Sequence, residues 1–581
     1  MADRSQLQKL ATYLRPHWRG TSLGIFALLV VNVLTVIIPL LIRNGIDELE
    51  QTFSYNRVLY YVALIITLAS VTWVIRMISR ILIFGTGRQV EFDLKQRIFE
   101  HLLSMEPAYF AVNTAGDLIS RATSDVENIR RLLGFAVLSL ANTVFAYGLT
   151  LPAMLLINLK LSLLAVSVYP LMLLLVRLFS DRLRSEQLTV QEELSGMSEL
   201  IQEDMSGMGL IKIYAQEENE RQAFRKLNRQ LLQANLEMAK TRNLLFPILI
   251  GIASLSFLIL LWQGSAAIAN QSLTVGNFIA LILYIEQLVF PTALLGFTIT
   301  TYQRGAVSID RIEAILSVQP MIQDPPNPVA PQTIQGKITA RHLTYTYPGA
   351  DQPALRDLNF TIQPGETVAI VGPIGSGKST LANALPRLLD IQPRQLWIDE
   401  YDVTELRLRD LRAAISYVPQ DSFLFSMMIQ DNIRYGNPIA APSDVEQVAK
   451  QSQIHSEVLN FPQQYETLVG ERGITLSGGQ RQRTALARAL LIDAPILILD
   501  DALSSVDNQT ATQILRNLSE GTQRQTVVFI SHQLTAAAMA DRILVMDEGQ
   551  VVQVGTHTEL LQQPGLYQTL WNQQRLEELL K

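Results

Sequence analysis

Residues 372–380 read Gly-Pro-Ile-Gly-Ser-Gly-Lys-Ser-Thr, and this stretch decides the fold of the C-terminal half of the chain. An apolar run at residues 367–371 precedes it and predicts a strand, and an apolar run at 381–389 follows it and predicts a helix. Glycines let successive backbone N–H groups face a phosphate, and the helix N-terminus adds its positive dipole end. The pattern predicts a P-loop that binds a nucleotide, with Lys378 at the β- and γ-phosphates and Ser379 on Mg²⁺. The predicted contacts are Gly372, Gly375, Ser376, Gly377, Lys378, Ser379 and Thr380.

A second signal lies at residues 496–501, Ile-Leu-Ile-Leu-Asp-Asp. Four apolar residues that run into an acid indicate a buried strand, and Asp500 is placed to deliver its carboxylate to the magnesium ion. Around both signals, residues 336–581 alternate strands and helices, which predicts an α/β domain with a largely parallel sheet. Residues 319–335 contain five prolines without periodicity and indicate a linker.

Residues 1–318 have a different composition, with long uncharged runs that predict a membrane domain. About 20 apolar residues span a bilayer core, and the run at 243–285 is long enough for two spans. The loops between the runs are helical in composition, so the helices are expected to continue well into the cytoplasm. The six predicted transmembrane helices cover about 20–42, 58–83, 132–158, 160–178, 243–263 and 274–301.

Lysine and arginine set the predicted orientation of these helices. Residues 76–131 hold eight of them and residues 177–242 hold ten, whereas the alternate loops hold two, one and none. Because positive loops stay in the cytoplasm, the N-terminus and everything after the sixth helix are predicted to be cytoplasmic. The chain is therefore expected to be a multi-pass protein of the cell membrane.

Composition excludes several other classes of protein. Hydrophobic residues make up 48% and charged residues 17%, against about 25% charged in soluble domains, so a purely soluble enzyme is excluded. The formal net charge of −6 argues against a nucleic-acid partner. The chain has no cysteine, which excludes disulfides and thiolate metal sites, and its six histidines are scattered.

The sequence Leu476-Ser477-Gly478-Gly479-Gln480 lies between the two nucleotide signals. With it, the chain resembles ATP-binding cassette (ABC) transporters over essentially its whole length, in the order of parts of an exporter half-transporter. The resemblance implies that these five residues cap the γ-phosphate of ATP bound to a partner chain. It implies further roles for Tyr347 (stacking on adenine), Gln420 (the loop glutamine that contacts magnesium), Asp507 (the D-loop) and His532 (the switch histidine).

Several loops also resemble parts of exporters that join the two halves. Residues 115–121 and 125–127 are similar to the first cytoplasmic loop of the membrane domain, and residues 205–215 are similar to the second. Residues 469–473, Val-Gly-Glu-Arg-Gly, resemble the exporter loop that meets a coupling helix.

One residue departs from the family pattern. The residue after the magnesium acid is normally a glutamate, the general base or the anchor of the attacking water, but here it is Asp501. Its carboxylate is retracted by roughly 1.5 Å, and a displacement of about 1 Å can cost a hundredfold in rate. The interpretation is a slow, ATP-retaining site in the weaker half of a heterodimer. A homodimer stays possible if the backbone adjusts to restore the geometry.

The resemblance implies ATP-driven export by alternating access. Because the spans carry almost no charge, the cargo is expected to be hydrophobic or amphipathic, such as drugs or lipids. An ionisable group inside a span is a functional candidate, so Glu286 is expected to line the cavity and contact the cargo. Two alternatives stay open: an exporter-fold importer of a metal-chelator complex, and an ATP-gated channel or regulatory subunit.

Overall fold

The computed structural model describes residues 6–51, 54–470, 473–519 and 525–580. The chain divides into two compact units, of which the first comprises Met1–Leu103 and Asn113–Val318, and the second Ser104–Val112 and Gln319–Lys581. Of the loop that resembles an exporter coupling contact, Glu471 and Arg472 lie outside the described residues.

The described residues of the first unit are almost entirely helical. One six-residue helix within the same stretch of chain, α4, belongs to the second unit. In chain order the helices are α1 (Gln6–Leu14), α2 (Trp18–Gln51), α3 (Tyr55–Leu103), α4 (Pro107–Val112), α5 (Ala115–Ser120), α6 (Val126–Arg131), α7 (Val137–Ile157), α8 (Leu159–Val166), α9 (Tyr169–Ile213), α10 (Glu217–Ala269) and α11 (Val275–Leu316).

Six helical segments of the described chain are long and apolar enough to cross a membrane, which confirms the predicted number of spans. Several continue far beyond the apolar stretch, and α10 reaches 53 residues. It also runs through residues 263–269, past the end of the predicted span. Pro291 lies inside α11 without ending it, because neighbouring helices can satisfy a freed backbone group inside a membrane bundle.

Two π-helical turns interrupt the third spanning segment, at Arg121–Asp125 and Leu132–Ala136. The first of them carries the buried Asp125. The carboxylate of Asp125 accepts a hydrogen bond from Ser308 (Oδ1 to Oγ, 2.7 Å) and pairs with Arg311 (Oδ2 to Nη1, 3.1 Å), both on α11. The extra residue of the turn therefore places an acid against the cytoplasmic part of α11.

The second unit contains all ten strands of the described chain. They are β1 (Ile338–Tyr345), β2 (Leu355–Ile362), β3 (Thr367–Val371), β4 (Leu396–Ile398), β5 (Tyr401–Asp402), β6 (Ile415–Val418), β7 (Ile496–Asp500), β8 (Thr526–Ile530), β9 (Arg542–Asp547) and β10 (Gln550–Gly555). Its further helices are α12 (Lys378–Ala384), α13 (Leu408–Ala413), α14 (Ile429–Arg434), α15 (Pro442–Gln451), α16 (His455–Leu459), α17 (Gly478–Leu490), α18 (Asn508–Ser519), α19 (Leu534–Ala537), α20 (His557–Gln562) and α21 (Leu566–Leu580).

These strands form two sheets. The larger has the order β10-β9-β3-β8-β7-β6, with β9 to β6 parallel and β10 antiparallel at one edge. The smaller is antiparallel, in the order β2-β1-β4-β5. The α/β prediction is confirmed, whereas the separate antiparallel sheet is not evident from the alternating pattern.

Both faces of the larger sheet are buried, because alternate residues of each strand enter different cores. In β3, Ala369 and Val371 pack in one core with α17. Val368 and Ile370 pack in the other core, with α12 and the antiparallel sheet. A strand buried on both faces needs an uninterrupted apolar run, which is what the sequence of β3 provides. The C-terminal end of β3 is thereby fixed, and the P-loop begins there.

Candidate nucleotide-binding site

The P-loop joins β3 to α12, and at two of its glycines a side chain would collide with the backbone of a neighbouring segment. Gly372 has φ +154°, and a Cβ there would lie 2.0 Å from the carbonyl oxygen of Met546. Gly377, the residue before α12, has φ +92°, and a Cβ would lie 2.6 Å from the carbonyl oxygen of Ala354. Side chains at either position would displace the loop, so the glycines hold the backbone N–H groups in place for a phosphate.

Lys378 is 6% exposed and folds back over this loop. Its ammonium donates to the carbonyl oxygens of Gly372 (2.9 Å) and Pro373 (2.7 Å) and to Oγ of Ser376 (3.3 Å). Burial lowers the pKa of the ammonium, although the nearby Asp501 and Asp500 carboxylates act in the opposite direction. A bound phosphate would supply the desolvated ammonium with a stronger acceptor than these neutral oxygens.

Ser379, in the first turn of α12, meets Asp500, the last residue of β7. Ser379 Oγ donates to Asp500 Oδ1 at 3.0 Å, and Tyr417 donates to Asp500 Oδ2 at 3.4 Å and to Asn383 Oδ1 at 2.9 Å. Burial raises the pKa of Asp500, opposed by the two hydroxyl donors. A hydroxyl and a desolvated carboxylate side by side are the oxygen donors that Mg²⁺ prefers, so the residues present fit the ion. The role of Tyr417 was not evident from the sequence, because a tyrosine in a strand is usually a packing residue.

Tyr347 lies beside the start of α12. Its hydroxyl is 3.2 Å from Thr380 Oγ1, and its ring packs edge-on against Tyr345 with centroids 5.0 Å apart. The ring is 39% exposed. An aromatic ring that packs against another ring and stays partly exposed to solvent is available for stacking on a base.

Gln420, Asp501 and His532 follow three neighbouring strands. Gln420 comes two residues after β6, Asp501 directly after β7, and His532 two residues after β8. Because these strands are parallel and adjacent, their carboxyl ends lie at one edge of the sheet. The structure thus brings the three residues to the edge that also carries the P-loop, at the end of β3.

The backbone at Asp501 is left-handed, with φ +49°. Its N–H donates to the carbonyl oxygen of Ile530 at 3.1 Å. Its own carbonyl oxygen accepts from Ser504 Oγ at 3.0 Å and from Gln482 Nε2 at 3.4 Å. These contacts fix the main chain that carries the carboxylate.

Ser477 caps α17 in a reciprocal pair with Gln480: Ser477 Oγ accepts from the Gln480 N–H at 3.2 Å, and Gln480 Oε1 accepts from the Ser477 N–H at 2.9 Å. Leu476 is buried below them. A Cβ on Gly479 would lie 2.7 Å from the carbonyl oxygen of Ser505, and one on Gly478 would lie 3.4 Å from Ser505 Oγ. The reciprocal cap and the close approach of Gly479 to Ser505 together fix the geometry of residues 476–480.

The loop that follows Asp501 ends in a second cap. Asp507 Oδ1 accepts from the Thr510 N–H at 2.9 Å at the start of α18. This backbone hydrogen bond lowers the pKa of the Asp507 carboxyl. Within the described residues, no hydrogen bond or ion pair joins residues 476–480 to the P-loop, so the structure does not bring these two predicted parts of the site together in one chain.

Comparisons with known proteins agree with this arrangement. Residues 21–292 match the ABC transporter transmembrane region, and residues 355–504 match the ABC transporter family. The chain is 32% identical over 574 residues to the probable multidrug resistance ABC transporter ATP-binding/permease protein YheI of Bacillus subtilis, covering 98% of each chain. The chain belongs to the ABC transporter family.

Two further relatives match over nearly the full length of both chains. The multidrug resistance-like ATP-binding protein MdlA of Escherichia coli is 32% identical over 98% of this chain and 97% of its own length. The ATP-dependent lipid A-core flippase of Syntrophus aciditrophicus is 30% identical over 99% of this chain and 94% of its own. A solved bacterial Atm1-family ABC exporter with ATP bound aligns with TM-score 0.79 and 26% identity, covering 97% of this chain and 99% of that one.

As an ABC exporter, the chain is a multi-pass membrane protein whose nucleotide-binding domain is cytoplasmic. It binds ATP and hydrolyses it to drive transport. Half-transporters of this family, with one membrane domain and one nucleotide-binding domain per chain, act as dimers.

Proposed function

We propose that the chain is one half of a dimeric exporter that moves hydrophobic or amphipathic molecules, drugs or lipids, across the membrane. The observation that carries this proposal is that six apolar spanning segments share one chain with the Ser379–Asp500 nucleotide site. Relatives named for multidrug resistance and for lipid A-core transport support this class of cargo. The spans are almost free of charge, which suits a cargo with a large apolar surface.

Magnesium would be held by Ser379, Asp500 and Gln420. When bound, it would neutralise charge on the β- and γ-phosphates and so favour transfer of the γ-phosphoryl group to water. Asp500 contributes the carboxylate, Ser379 the hydroxyl, and Gln420 a side-chain oxygen from the end of β6.

The chain's own residues bind ATP and orient the attacking water. The P-loop backbone and Lys378 bind the phosphates, and Tyr347 stacks on the adenine. Asp501 orients the attacking water and takes up its proton, and His532 donates to the γ-phosphate from the end of β8. Each of these groups acts by position and charge, which is how phosphoryl transfer is chiefly catalysed.

Residues 476–480 complete the ATP site of the partner chain. Within the described residues they make no polar contact with their own P-loop, and Ser477 is exposed at the N-terminus of α17. A second copy or a related chain would bring its own γ-phosphate to this helix end, where backbone N–H groups favour an anion. Hydrolysis would then require two chains.

Asp501 makes this chain's own site the slower of the two. The retracted carboxylate would need a backbone shift of about 1.5 Å to recover the reach of a glutamate. The hydrogen bonds to Ile530, Ser504 and Gln482 oppose such a shift. A heterodimer follows as the favoured assembly, in which the partner supplies the glutamate and this chain supplies Ser477.

The proposal is tested with the full-length chain and its partner in inside-out vesicles, by following a fluorescent amphiphile after ATP is added. ATP-dependent accumulation inside the vesicles, absent in Lys378→Ala, supports export. Loss of preloaded amphiphile on ATP addition would indicate import instead. Ion conductance that depends on ATP binding without directional transport would indicate a channel, and either of these results would overturn the proposal.

A further inference from the structure

The helix α11 has one face that the other described elements leave mostly exposed. Tyr284, Leu288 and Thr292 are buried toward the neighbouring helices. Phe290 is 64% exposed on the opposite side, and Glu286 is also exposed there. With Phe297, which is 61% exposed, these side chains lie within about 40° of one another around the helix.

The polar side chains next to this face are already paired inside the helical unit. Tyr284 donates to the carbonyl oxygen of Val36 at 2.8 Å, and Gln287 donates to the carbonyl oxygen of Thr35 at 3.1 Å. Glu286, between them in the sequence, makes no hydrogen bond or ion pair with any other described residue. Between residues 275 and 303 it is also the only charged residue of the sequence.

The depth of Glu286 in the membrane limits what this face can contact. It lies 11 residues after Val275, the first residue of α11, which is about 16 Å along the helix axis. This is close to the middle of a hydrocarbon core of roughly 30 Å. A carboxylate that faced acyl chains at this depth would be strongly unfavourable, so the face must line a water-accessible space in the assembled transporter.

We propose that Glu286, Phe290 and Phe297 form a cargo subsite that selects lipophilic cations. The inference rests on the proposed export function and narrows its cargo. The carboxylate attracts a positive charge, and the two phenyl rings pack against the apolar body of the cargo. Phe297 is held in place by an edge-to-face contact with Phe135, with ring centroids 5.1 Å apart.

Equilibrium binding to the full-length chain in lipid nanodiscs tests this subsite. The two probes are tetraphenylphosphonium, a cation, and triphenylphosphine oxide, a neutral molecule of similar aryl bulk, each corrected for uptake by empty nanodiscs. We expect the wild type to bind the cation at least about tenfold more tightly than the neutral probe, and Glu286→Gln to remove that preference. Glu286→Asp, which keeps the charge, should keep most of it.

Two further variants, Phe290→Ala and Ile299→Ala, separate the contribution of the aromatic side chain to binding from that of the carboxylate. Phe290→Ala should weaken the binding of both probes by a similar factor, whereas Ile299→Ala, at an exposed position on another side of α11, should change neither. Equal binding of the two probes by the wild type, or an unchanged preference in Glu286→Gln, would overturn the subsite.

The result is distinguishable from failure of the export function itself. If vesicles export a neutral amphiphile with ATP while Glu286→Gln keeps its preference for the cation, the subsite is wrong and export stands. If the preference depends on Glu286 but the vesicles transport no cargo, the subsite stands and export is wrong.

Discussion

The side-chain amide of Gln482 donates a hydrogen bond to the hydroxyl of Ser504 at 3.0 Å. The same amide accepts from the backbone N–H of Ser505 at 2.9 Å and donates to the carbonyl oxygen of Asp501 at 3.4 Å. Gln482 lies on α17, one turn after the Ser477 cap, and is 6% exposed. One buried side chain thus ties the helix that Ser477 caps to the segment that carries Asp501.

Gln482→Leu should uncouple these two segments. It removes three hydrogen bonds made by a buried side chain, so the free energy of unfolding should fall by about 1–3 kcal/mol. ATP turnover should fall as well, because Asp501 loses part of its backbone support. Thermal unfolding and magnesium-dependent ATP turnover measure the two effects.

Gln513 on α18 offers a matched control for Gln482. Its amide is exposed, and among the described residues it bonds only to Asn517, one turn along the same helix. Gln513→Leu should therefore change stability by no more than about 0.5 kcal/mol and leave turnover intact. Equal effects of the two substitutions would show that Gln482 has no special connecting role.

Asp501→Glu should accelerate magnesium-dependent ATP turnover of the chain purified alone, by about ten- to a hundredfold. The added methylene extends the carboxylate toward the attacking water, and a change of about 1 Å at a reacting group has an effect of this size. A brisk wild-type rate that the substitution leaves unchanged would mean that the chain works as a homodimer.

Ser477→Arg should abolish most ATP turnover of the assembled pair. The arginine breaks the cap of α17 and fills the helix end where the partner's γ-phosphate would bind. Ser443→Arg, at an exposed position on α15, is the control and should have little effect. Full activity of the Ser477→Arg pair would contradict the assignment of this helix end to the partner's ATP.

His557 predicts a pH dependence of stability. Its Nδ1 is 2.7 Å from the Tyr567 hydroxyl, its ring packs against Trp571, and burial lowers its pKa below the usual 6.5. At a pH below 6.5 the unfolded chain takes up a proton that the folded chain resists, so stability falls as the pH falls. His557→Gln should flatten this decline between about pH 7 and 5, as measured by the unfolding temperature. An unchanged slope would contradict the contribution of His557.

The sequence predicts the parts of this molecule that depend on local pattern. Uninterrupted apolar runs predict the six spanning segments, and the glycine spacing around Lys378 predicts the loop that begins where β3 ends. These features need only neighbouring residues, because hydropathy and backbone freedom are local properties.

The sequence does not predict features that depend on contacts between residues far apart along the chain. The π-turn that aims Asp125 at Ser308 depends on a contact across 183 residues. The contacts of Gln482 and Tyr417 likewise depend on which strand end or loop the fold places opposite them. Glutamine and tyrosine are common residues, so neither stands out in the sequence before its partners are known.

The length of α10 has a mechanical consequence. Its 53 residues correspond to about 80 Å of helix, of which a bilayer core accounts for roughly 30 Å. Residues 217–242, which precede the predicted span, make up about 39 Å of the helix and form a stiff lever arm: a tilt of about 10° at the membrane would sweep its far end through about 7 Å. A small rotation of the spans therefore produces a much larger displacement at the cytoplasmic end, in proportion to the length of the helix.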